Sequence, residues 1–370
     1  MPVVRLPDTI ESLRQVLAMS IGRDERRRAA LAMVAPGTAL RDGLERIVRG
    51  NTGALIVVGF DPVVSDICSG GFELDTEFSA TRLRELAKMD GAVVLDKHGH
   101  RIVRAAVQLV PDPRLPTQES GTRHRTAERV ARQTGYPVIT VSKSMRTIAV
   151  FTASDRYMLE DSAALLTRAH QAIATLERYK RRLDEAASAL SALEIEDRAT
   201  IGDIAVVAQR LEMVSRVTDE IKGYLVELGT DGGLLGLQLE ELTAGTARER
   251  ELLLRDYGPD PGASRGDMLT SLSSDELLDL GAVAAAIGLG APRGLGQHVT
   301  SRGYRLLGQI PRLPQPIADG LIDYFGGLQQ LLSASVLDLR RVAGMDPALA
   351  TSVREGLSRL AESALMERYA

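Results

Sequence analysis

The chain has 370 residues, of which 44% are hydrophobic and 25% charged, close to the average of soluble globular proteins. This length gives room for about two or three domains that each bury a core. Because 45 Lys and Arg face 49 Asp and Glu, the net charge of −4 offers no global attraction for nucleic acid. The single cysteine, Cys68, excludes an intramolecular disulfide and a four-cysteine zinc site. No apolar run reaches membrane-spanning length and no leader pattern begins the sequence, so we expect a cytosolic protein.

Residues 1–154 alternate helical and strand patterns, which predicts an α/β domain with a mixed sheet. Helices are predicted over Asp8 to Met33 and over Thr38 to Val48, the second preceded by Pro36-Gly37. Runs rich in β-branched residues and bounded by turn residues predict strands over 53–59, 91–96, 101–110, 137–142 and 147–152.

A helix with an unusual start is predicted between the third and fourth of these strands. The stretch ESGTRHRTAERVARQTG places Thr122 at the N-cap and Gly135 just past the helix end. Arg123 and Arg125 fall in the first turn, where cations oppose the helix dipole, so we expect an anion to compensate them. Backbone N–H groups, the dipole and two guanidinium groups would then converge on one polyphosphate.

From Asp155 onward the strand pattern ends, and apolar residues recur at helical spacing between charged ones. This pattern predicts an all-α spine over 155–300. The Gly- and Pro-rich stretch 257–267 is typical of a linker or an exposed loop.

The last segment, 301–370, contains a weak internal repeat with an offset of about 32 positions. Residues 310–325 align with 342–357, and each unit reads as a turn followed by a helix. The pattern is similar to the helix-hairpin-helix, in which turn N–H groups contact DNA phosphates without reading bases. Arg312 and Pro314 replace Gly344 and Asp346 in the first unit, so its role stays open between DNA contact and structure. The second unit offers the better phosphate contacts: Gly344, Met345, Arg340 and Arg341.

The stretch ELAKMDGAVVLD supports two chemistries. Read as Lys-x-Asp-Gly, it would make Lys88 a nucleophile that takes AMP covalently, as in DNA ligases. However, Lys88 lies off the apolar stripe of its predicted helix and complements the helix dipole, so it needs no catalytic role. Asp90 falls at a helix-to-strand junction before Gly91, where a carboxylate can hold Mg²⁺ or Mn²⁺ together with substrate phosphates.

The stretches TGALIVVG, GGFELD, ELAKMDGAVVL, ESGTRHRTAERVARQTG and PVITVS together resemble the diadenylate cyclase domain. The order of cyclase domain (1–154), helical linker (155–300) and helix-hairpin-helix domain (301–370) resembles DNA-integrity scanning proteins over essentially the whole chain. Two departures are Ser120, where Thr is usual, and VSKSMRTI, which carries fewer arginines than expected. The second leaves one phosphate contact unassigned.

The resemblance implies synthesis of cyclic di-AMP and pyrophosphate from two ATP molecules. It further implies that Asp90 binds Mg²⁺ or Mn²⁺, that Arg123 and Arg125 carry phosphate charge, and that His124 adds a hydrogen bond. The nucleotide would be bordered by the following residues: Gly91, Leu109, Thr122, Thr126 and Ser142. An octamer built from paired cyclase heads, and suppression of synthesis by branched DNA, are also implied. No general base is evident.

Two alternatives remain at the level of sequence. The protein could be a DNA-binding structural protein whose nucleotide domain only senses ATP. It could also be an adenylyltransferase that works through a lysine-AMP intermediate on a macromolecule.

Overall fold

The computed structural model describes residues 25–258, 266–290 and 294–369. Of the predicted helix over Asp8 to Met33, residues 25–33 are helical and the earlier part lies outside the described residues. Most of the predicted linker at 257–267 also lies outside them. Among the described residues, no helix combines the length and the apolar character needed to cross a membrane.

The chain divides into two compact units: residues up to His170 with Lys222–Gly236, and Gln171–Ile221 with Leu237–Ala370. The first unit is an α/β domain with a mixed sheet, and helices follow it along the chain, so the predicted fold class is confirmed for this part. The predicted boundaries at 154 and 300 stay predictions.

The first unit is built around one sheet of eight strands within the described residues. The strands are β1 (Ala54–Val58), β2 (Cys68–Ser69), β3 (Phe72–Glu77), β4 (Ala92–Leu95), β5 (Arg101–Leu109), β6 (Val138–Ser142), β7 (Thr147–Phe151) and β8 (Arg156–Met158). Their order is β2-β5-β4-β1-β6-β7-β8, and β3 pairs with the same edge of β5 as β2. Strands β1 and β4 are parallel, and the other pairs are antiparallel.

Helices cover both faces of this sheet. They are α1 (25–33), α2 (Ala39–Arg49), α3 (Pro62–Asp66), α4 (Ala80–Leu86) and α5 (Thr122–Thr134). One apolar core includes Leu44 of α2 and Leu83 of α4, and the other includes Val64 of α3 and Val130 of α5. Because every residue of β1, β4 and β6 is buried, these strands read as continuous apolar runs rather than alternating ones.

The five predicted strands are present within one residue or two of their predicted ends, and three others were missed. The expectation that strands end at Asp155 is wrong, because β8 pairs with β7. Strands β2, β3 and β8 lie at the sheet edges and present mostly polar or exposed side chains. Their backbone is paired, but their side chains lack the apolar pattern on which strand prediction depends.

In the described residues that follow β8, the regular structure is helical, apart from one isolated bridge between Thr200 and His298. The helices are α6 (Ser162–Ile195), α7 (Ile201–Leu228), α8 (Gly233–Thr243), α9 (Thr246–Tyr257), α10 (Gly266–Thr270), α11 (Leu280–Ala286), α12 (Tyr304–Gly308), α13 (Gln315–Phe325), α14 (Leu328–Ser333), α15 (Val336–Leu339) and α16 (Pro347–Tyr369). Helices α12 to α16 share an apolar core that includes Ile310, Leu321, Val342 and Val353.

Candidate functional site

One edge of the sheet gathers the predicted site residues of the strands. This edge is formed by the ends of the strands, not by an outer strand. Strands β1 and β4 are parallel, with Ile56 opposite Val93, so both begin at this edge. Two residues earlier along the chain in each case, Gly91 lies opposite Ala54. Strand β6 runs the other way and pairs Val141 with Ala54, so it ends at the same edge with Ser142. Adjacent strands are about 4.8 Å apart, which places the backbones of β4 and β6 at this edge roughly 10 Å from each other.

Helix α5 begins at this edge without a capping side chain. Its N-cap is Gly121, so the prediction that Thr122 would be the N-cap is wrong: Thr122 is already the first helical residue. The predicted end at Gly135 is confirmed, with a left-handed φ of 74°. The N–H of Arg125 is the first to bond back, to the carbonyl of Gly121. The preceding N–H groups point out of an uncapped helix start, which is a favourable place for an anion.

An open cleft of ≈ 760 Å³ lies at this helix start. Its lining residues are Asn51, Gly121, Thr122, Arg123, His124, Val141, Ser142, Lys143 and Ser144. None of them is acidic, and the described part of the chain offers neither Arg123 nor Lys143 a carboxylate. Most arginines of the α/β domain instead bond to an acid or a carbonyl, as Arg104 does to Glu73. The two cations of the cleft are therefore available to an external anion.

The position of Arg123 depends on a glycine in the neighbouring loop. A Cβ on Gly53 would overlap Nη1 of Arg123 and would lie 3.2 Å from the carbonyl oxygen of Val141. The guanidinium group therefore occupies the space that a side chain at position 53 would take. Any larger residue at that position would push the cation away from the start of β1.

His124 packs inside the cleft wall rather than extending from it. Its ring centroid lies 6.1 Å from that of Phe151, and the Cβ of any residue replacing Gly121 would lie 3.2 Å from Nδ1. The ring thus packs against a core aromatic residue on one side and the N-cap on the other. This contact holds one ring nitrogen close to the uncapped N–H groups.

A buried carboxylate anchors the loop that leads into α5. Glu128 accepts hydrogen bonds from Oγ1 of Thr117 at 2.5 Å and from N of Gln118 at 3.1 Å, and it pairs with Arg132 at 2.6 Å. Burial alone would raise the pKa of Glu128, but the bonds from Thr117 and Gln118 and the charge of Arg132 lower it below its usual value. The carboxylate is therefore held ionised and fixes the loop.

Asp90 and Gly91 form the turn before β4. Gly91 has a φ of 111°, and a Cβ there would lie 2.6 Å from the carbonyl carbon of Ala106, so only glycine fits. The exposed Asp90 carboxylate has neither a hydrogen bond nor an ion pair with any described residue. The described residues contain no group of three or more His, Cys, Asp or Glu that could hold a metal alone. One free carboxylate fits a hard cation that takes its other ligands from water and substrate phosphates.

Lys88 has an ordinary structural partner. Its Nζ lies 2.5 Å from Oε2 of Glu85, and 48% of its side chain is exposed. The amine is half exposed and ion-paired, and the neighbouring Arg84 is neutralised by the same Glu85 carboxylate, so the described surroundings do not desolvate Lys88 as a lysine nucleophile requires.

The cleft brings together four of the predicted site residues: Thr122, Arg123, His124 and Ser142. Arg125 and Thr126 lie on the same helix turn but outside the cleft lining, and the hydroxyl of Thr126 donates to the carbonyl of Thr122. Asp90, Gly91 and Leu109 lie outside the lining too, and Leu109 is buried opposite Cys68.

Sequence reasoning missed Asn51, Lys143 and Ser144. Asn51 has a left-handed φ of 50°, which asparagine tolerates, and Lys143 belongs to the β6–β7 turn. The glycines around Asn51 were visible in the sequence, but their approach to α5 depends on sheet pairing. The phosphate contact that VSKSMRTI left unassigned has a candidate in Lys143.

Comparison with known families agrees with this architecture. Residues 41–155 match the family described as DisA bacterial checkpoint controller nucleotide-binding, and residues 159–294 match the DisA bacterial checkpoint controller linker region. The fold and the cleft thus belong to a nucleotide-binding α/β domain followed by a helical linker.

Full-length relatives narrow this class to one family. The DNA integrity scanning protein DisA of Acidothermus cellulolyticus is 60% identical over 355 residues, which cover 94% of this chain and 96% of that protein. The proteins of the same name from Frankia alni and Streptomyces avermitilis are 62% and 60% identical, over 92% and 95% of this chain and 97% and 96% of theirs. The chain belongs to the DisA family, and the resemblance inferred from the sequence is confirmed.

Proposed function

We propose that the protein is a diadenylate cyclase that condenses two ATP molecules into cyclic di-AMP and releases two pyrophosphates. The observation that carries this proposal is the cleft at the uncapped start of α5, where Arg123 and Lys143 have no acidic partner among the described residues. Such a cleft suits a polyphosphate, because fixed N–H dipoles and free cations stabilise its charge without rearrangement.

The residues of the cleft bind and orient ATP. The N–H groups of α5 and the guanidinium of Arg123 hold the phosphates, and Lys143 neutralises the charge that develops on the leaving pyrophosphate. His124 adds a hydrogen bond to a phosphate oxygen. The nucleotide is bordered by the following residues: Gly91, Leu109, Thr122, Arg125, Thr126 and Ser142. Arg125 and Thr126 lie on the same helix turn but outside the cleft lining, and they contact the part of ATP that extends along the helix.

The symmetry of the product requires two copies of this cleft. Each 3′-hydroxyl attacks the α-phosphorus of the other nucleotide, forming a P–O bond while the bond to pyrophosphate breaks. Two equivalent bonds form if two clefts face each other across a two-fold axis. Monomers should therefore be inactive, and we extend this proposal to an octamer of paired cyclase heads.

We assign Asp90 as the residue that holds Mg²⁺ or Mn²⁺. A free carboxylate beside a glycine turn fits such an ion, as described above. When bound, the ion would neutralise phosphate charge and lower the pKa of a coordinated hydroxyl. The carboxylate itself orients the ligands around it.

Chromatography of the products from ATP with Mg²⁺ or Mn²⁺ tests the proposal. We expect cyclic di-AMP from the unmodified protein, no product from Asp90→Asn, and full activity from Lys88→Ala. Lys88→Ala is the matched control, since both residues lie in the same turn. Loss of activity in Lys88→Ala, with AMP trapped on the unmodified protein, would support the adenylyltransferase instead. ATP binding without any product would support a protein that only senses ATP.

We further propose that α12 to α16 form a paired helix-hairpin-helix module that binds DNA. The loops before α13 and α16 occupy equivalent places in the repeat, and Arg312 and Gly344 both have left-handed φ values, 62° and 82°. Each loop also packs on a glycine of the other unit: Ile310 on Gly356, and Val342 on Gly320. This reciprocal packing supports two related hairpins.

The second hairpin offers the clearer phosphate contact. Arg340 is exposed and has no acidic partner in the described residues, whereas Arg341 lies 3.6 Å from Asp338. Met345 is a weaker candidate than the sequence indicates, because it is buried and its N–H already donates to Val342. In the first hairpin, Arg312 keeps a backbone conformation that costs a non-glycine residue about 1 kcal/mol, which favours a function for its side chain.

Retention on double-stranded and branched DNA across a salt series tests this module. Arg312→Gly preserves the left-handed backbone and removes only the cation, so it isolates the role of the side chain. We expect Arg340→Ala and Arg312→Gly each to weaken retention and to reduce the salt slope by about one. Retention unchanged in Arg312→Gly would leave the first hairpin with a structural role.

A further inference from the structure

The segment after α7 interlocks with the turn between α1 and α2 inside the first unit. Thr230 donates its N–H to the carbonyl of Pro36 at 3.1 Å. Gly37 has a φ of 89°, and a Cβ there would overlap the Thr230 side chain, 2.7 Å from Oγ1. Gly229 has a φ of 50°, and a Cβ there would overlap the Pro36 carbonyl and lie 3.0 Å from Cβ of Ala35. We call these residues (Pro36, Gly37, Gly229 and Thr230) the glycine interlock.

The glycine interlock continues directly into α2. Thr38 follows Gly37 and caps the helix: its Oγ1 accepts from N of Arg41 at 3.1 Å and donates to the carbonyl of Ala35 at 2.8 Å. The position of the turn therefore fixes the position of the helix start. With 11 residues, α2 is about 16 Å long.

The other end of α2 carries one wall of the cleft. The N–H of Asn51 bonds to the carbonyl of Val48 at 3.1 Å, and that of Thr52 to Ile47 at 3.2 Å, so this loop is tied to the last turn of the helix. Asn51 lines the cleft, and Gly53 leaves the space that Arg123 occupies.

Helix α2 transmits a displacement as a rigid body. Leu40, Leu44 and Ile47 are buried in the core, and a Cβ on Gly43 would lie 2.8 Å from Cδ2 of Leu83. Close-packed contacts of this kind leave little room for a local adjustment. A shift at the glycine interlock should therefore reach the loop of Asn51 and Gly53.

We propose that the glycine interlock is a positioning device for the nucleotide cleft. Gly37, Gly229 and Thr230 act as positioning residues: they set the register of α2, and α2 sets the wall against which Arg123 is held. The proposal rests on the proposed function, because it requires that the cleft bind a nucleotide.

The test compares two glycines with similar backbone and different surroundings. Gly37→Ala introduces a methyl group against Thr230, whereas Gly99→Ala is the matched control, with a φ of 71° and no atom within 4 Å of the added methyl. Equilibrium binding of α,β-methylene-ATP to the full chain and the melting temperature are measured for both. We expect Gly37→Ala to lose about tenfold in affinity, since small misplacements at a site have effects of this order. Gly99→Ala should bind like the unmodified protein.

A second pair of variants separates positioning from general destabilisation. Gly37→Ala with Thr230→Ala removes the two atoms that clash, so the double variant should recover most of the lost affinity. Thr230→Ala alone loosens the glycine interlock without a clash and should show a smaller loss than Gly37→Ala.

Equal affinity in Gly37→Ala and Gly99→Ala would overturn the inference, as would a double variant that regains its melting temperature but not its affinity. If Gly37→Ala does not fold, unchanged affinity in Thr230→Ala overturns it. If the unmodified protein does not bind the analogue, the proposed function fails as well. Binding in the unmodified protein with no difference among the variants overturns this inference alone.

Discussion

Replacing Arg305, a buried arginine of the second unit, is the sharpest test of how buried ion pairs stabilise this protein. The side chain of Arg305 is 1% exposed and binds Glu194, which is fully buried, at 2.7 Å, and Glu249 at 3.0 Å. Its Nη2 also donates to the carbonyl of Ala187, and Tyr257 donates its hydroxyl to Glu194 at 2.6 Å. Arg305→Met would keep the apolar stem and remove all the guanidinium donors, while the Tyr257 hydroxyl would remain.

The free energy of unfolding lost in Arg305→Met depends on which carboxylate loses its partner. Glu249 is 28% exposed and can return to water, but Glu194 cannot. Breaking a buried pair on one side costs about 3–5 kcal/mol, because the remaining charge has lost its partner. The double variant Arg305→Met with Glu194→Gln removes that charge, and Gln can still accept from Tyr257, so we expect it to regain at least half of the loss.

The penalty should also depend on pH. Burial already raises the pKa of Glu194, against the opposing effects of Arg305 and Tyr257. Without Arg305 the folded protein would bind a proton there more tightly than the unfolded chain does, so stability would fall as pH rises from the unfolded value of 4.5 toward the raised pKa. Arg305→Met should therefore cost less at pH 5 than at pH 8.

Urea unfolding at the two pH values, followed by circular dichroism, measures these differences. A loss below about 1 kcal/mol in Arg305→Met at pH 8 would mean that water or a rearranged partner satisfies Glu194, and would refute the reasoning. A double variant no more stable than Arg305→Met would refute it too.

Three further predictions concern the α/β domain. Lys143→Met should weaken binding of an ATP analogue about tenfold at low salt and less at high salt, as measured by titration calorimetry, because it removes an exposed cation that acts on phosphates. Gly91→Ala should destabilise the fold by more than about 2 kcal/mol in urea unfolding, since the methyl would meet the backbone of Ala106. Gly135→Ala is the control: it has open space around it and should cost about 1 kcal/mol in the same assay. Glu128→Gln should lower the melting temperature at pH 7, and this effect should disappear as the pH falls through the lowered pKa of Glu128. A carboxylate with a depressed pKa stabilises the fold above its unfolded pKa of 4.5, and it no longer does so below its pKa in the folded protein.

The elements that sequence predicts well are those whose apolar pattern reports burial. Strand β6 was expected over 137–142 and is observed at Val138–Ser142, and helix α5 ends at Gly135 as expected. The edge strand β3 was missed because five of its six residues are exposed and its register shifts at a bulge. Hydrogen bonding to β5 holds that strand, and this partner is not visible from local sequence.

The residues of the candidate site also differ in whether local sequence predicts them. The first turn of α5 could be predicted from three adjacent letters, because a helix start with two arginines is an electrostatic anomaly wherever it occurs. The wall formed by Asn51 and Lys143 could not, since these residues are far apart in sequence and meet only because β6 runs antiparallel to β1. Sequence spacing cannot provide that register.

Lys88 and Lys143 show what decides whether a cation is functional. The first belongs to a motif that suggests a nucleophile, yet it is paired with Glu85 on the surface. The second was given no role by the sequence, yet it lines a cleft without an acidic residue. Charge that the described fold leaves without a partner costs stability through repulsion and desolvation, and binding of an anion recovers that cost. We therefore expect an anionic nucleotide to bind most tightly at the cleft at α5, where the lining residues include no carboxylate.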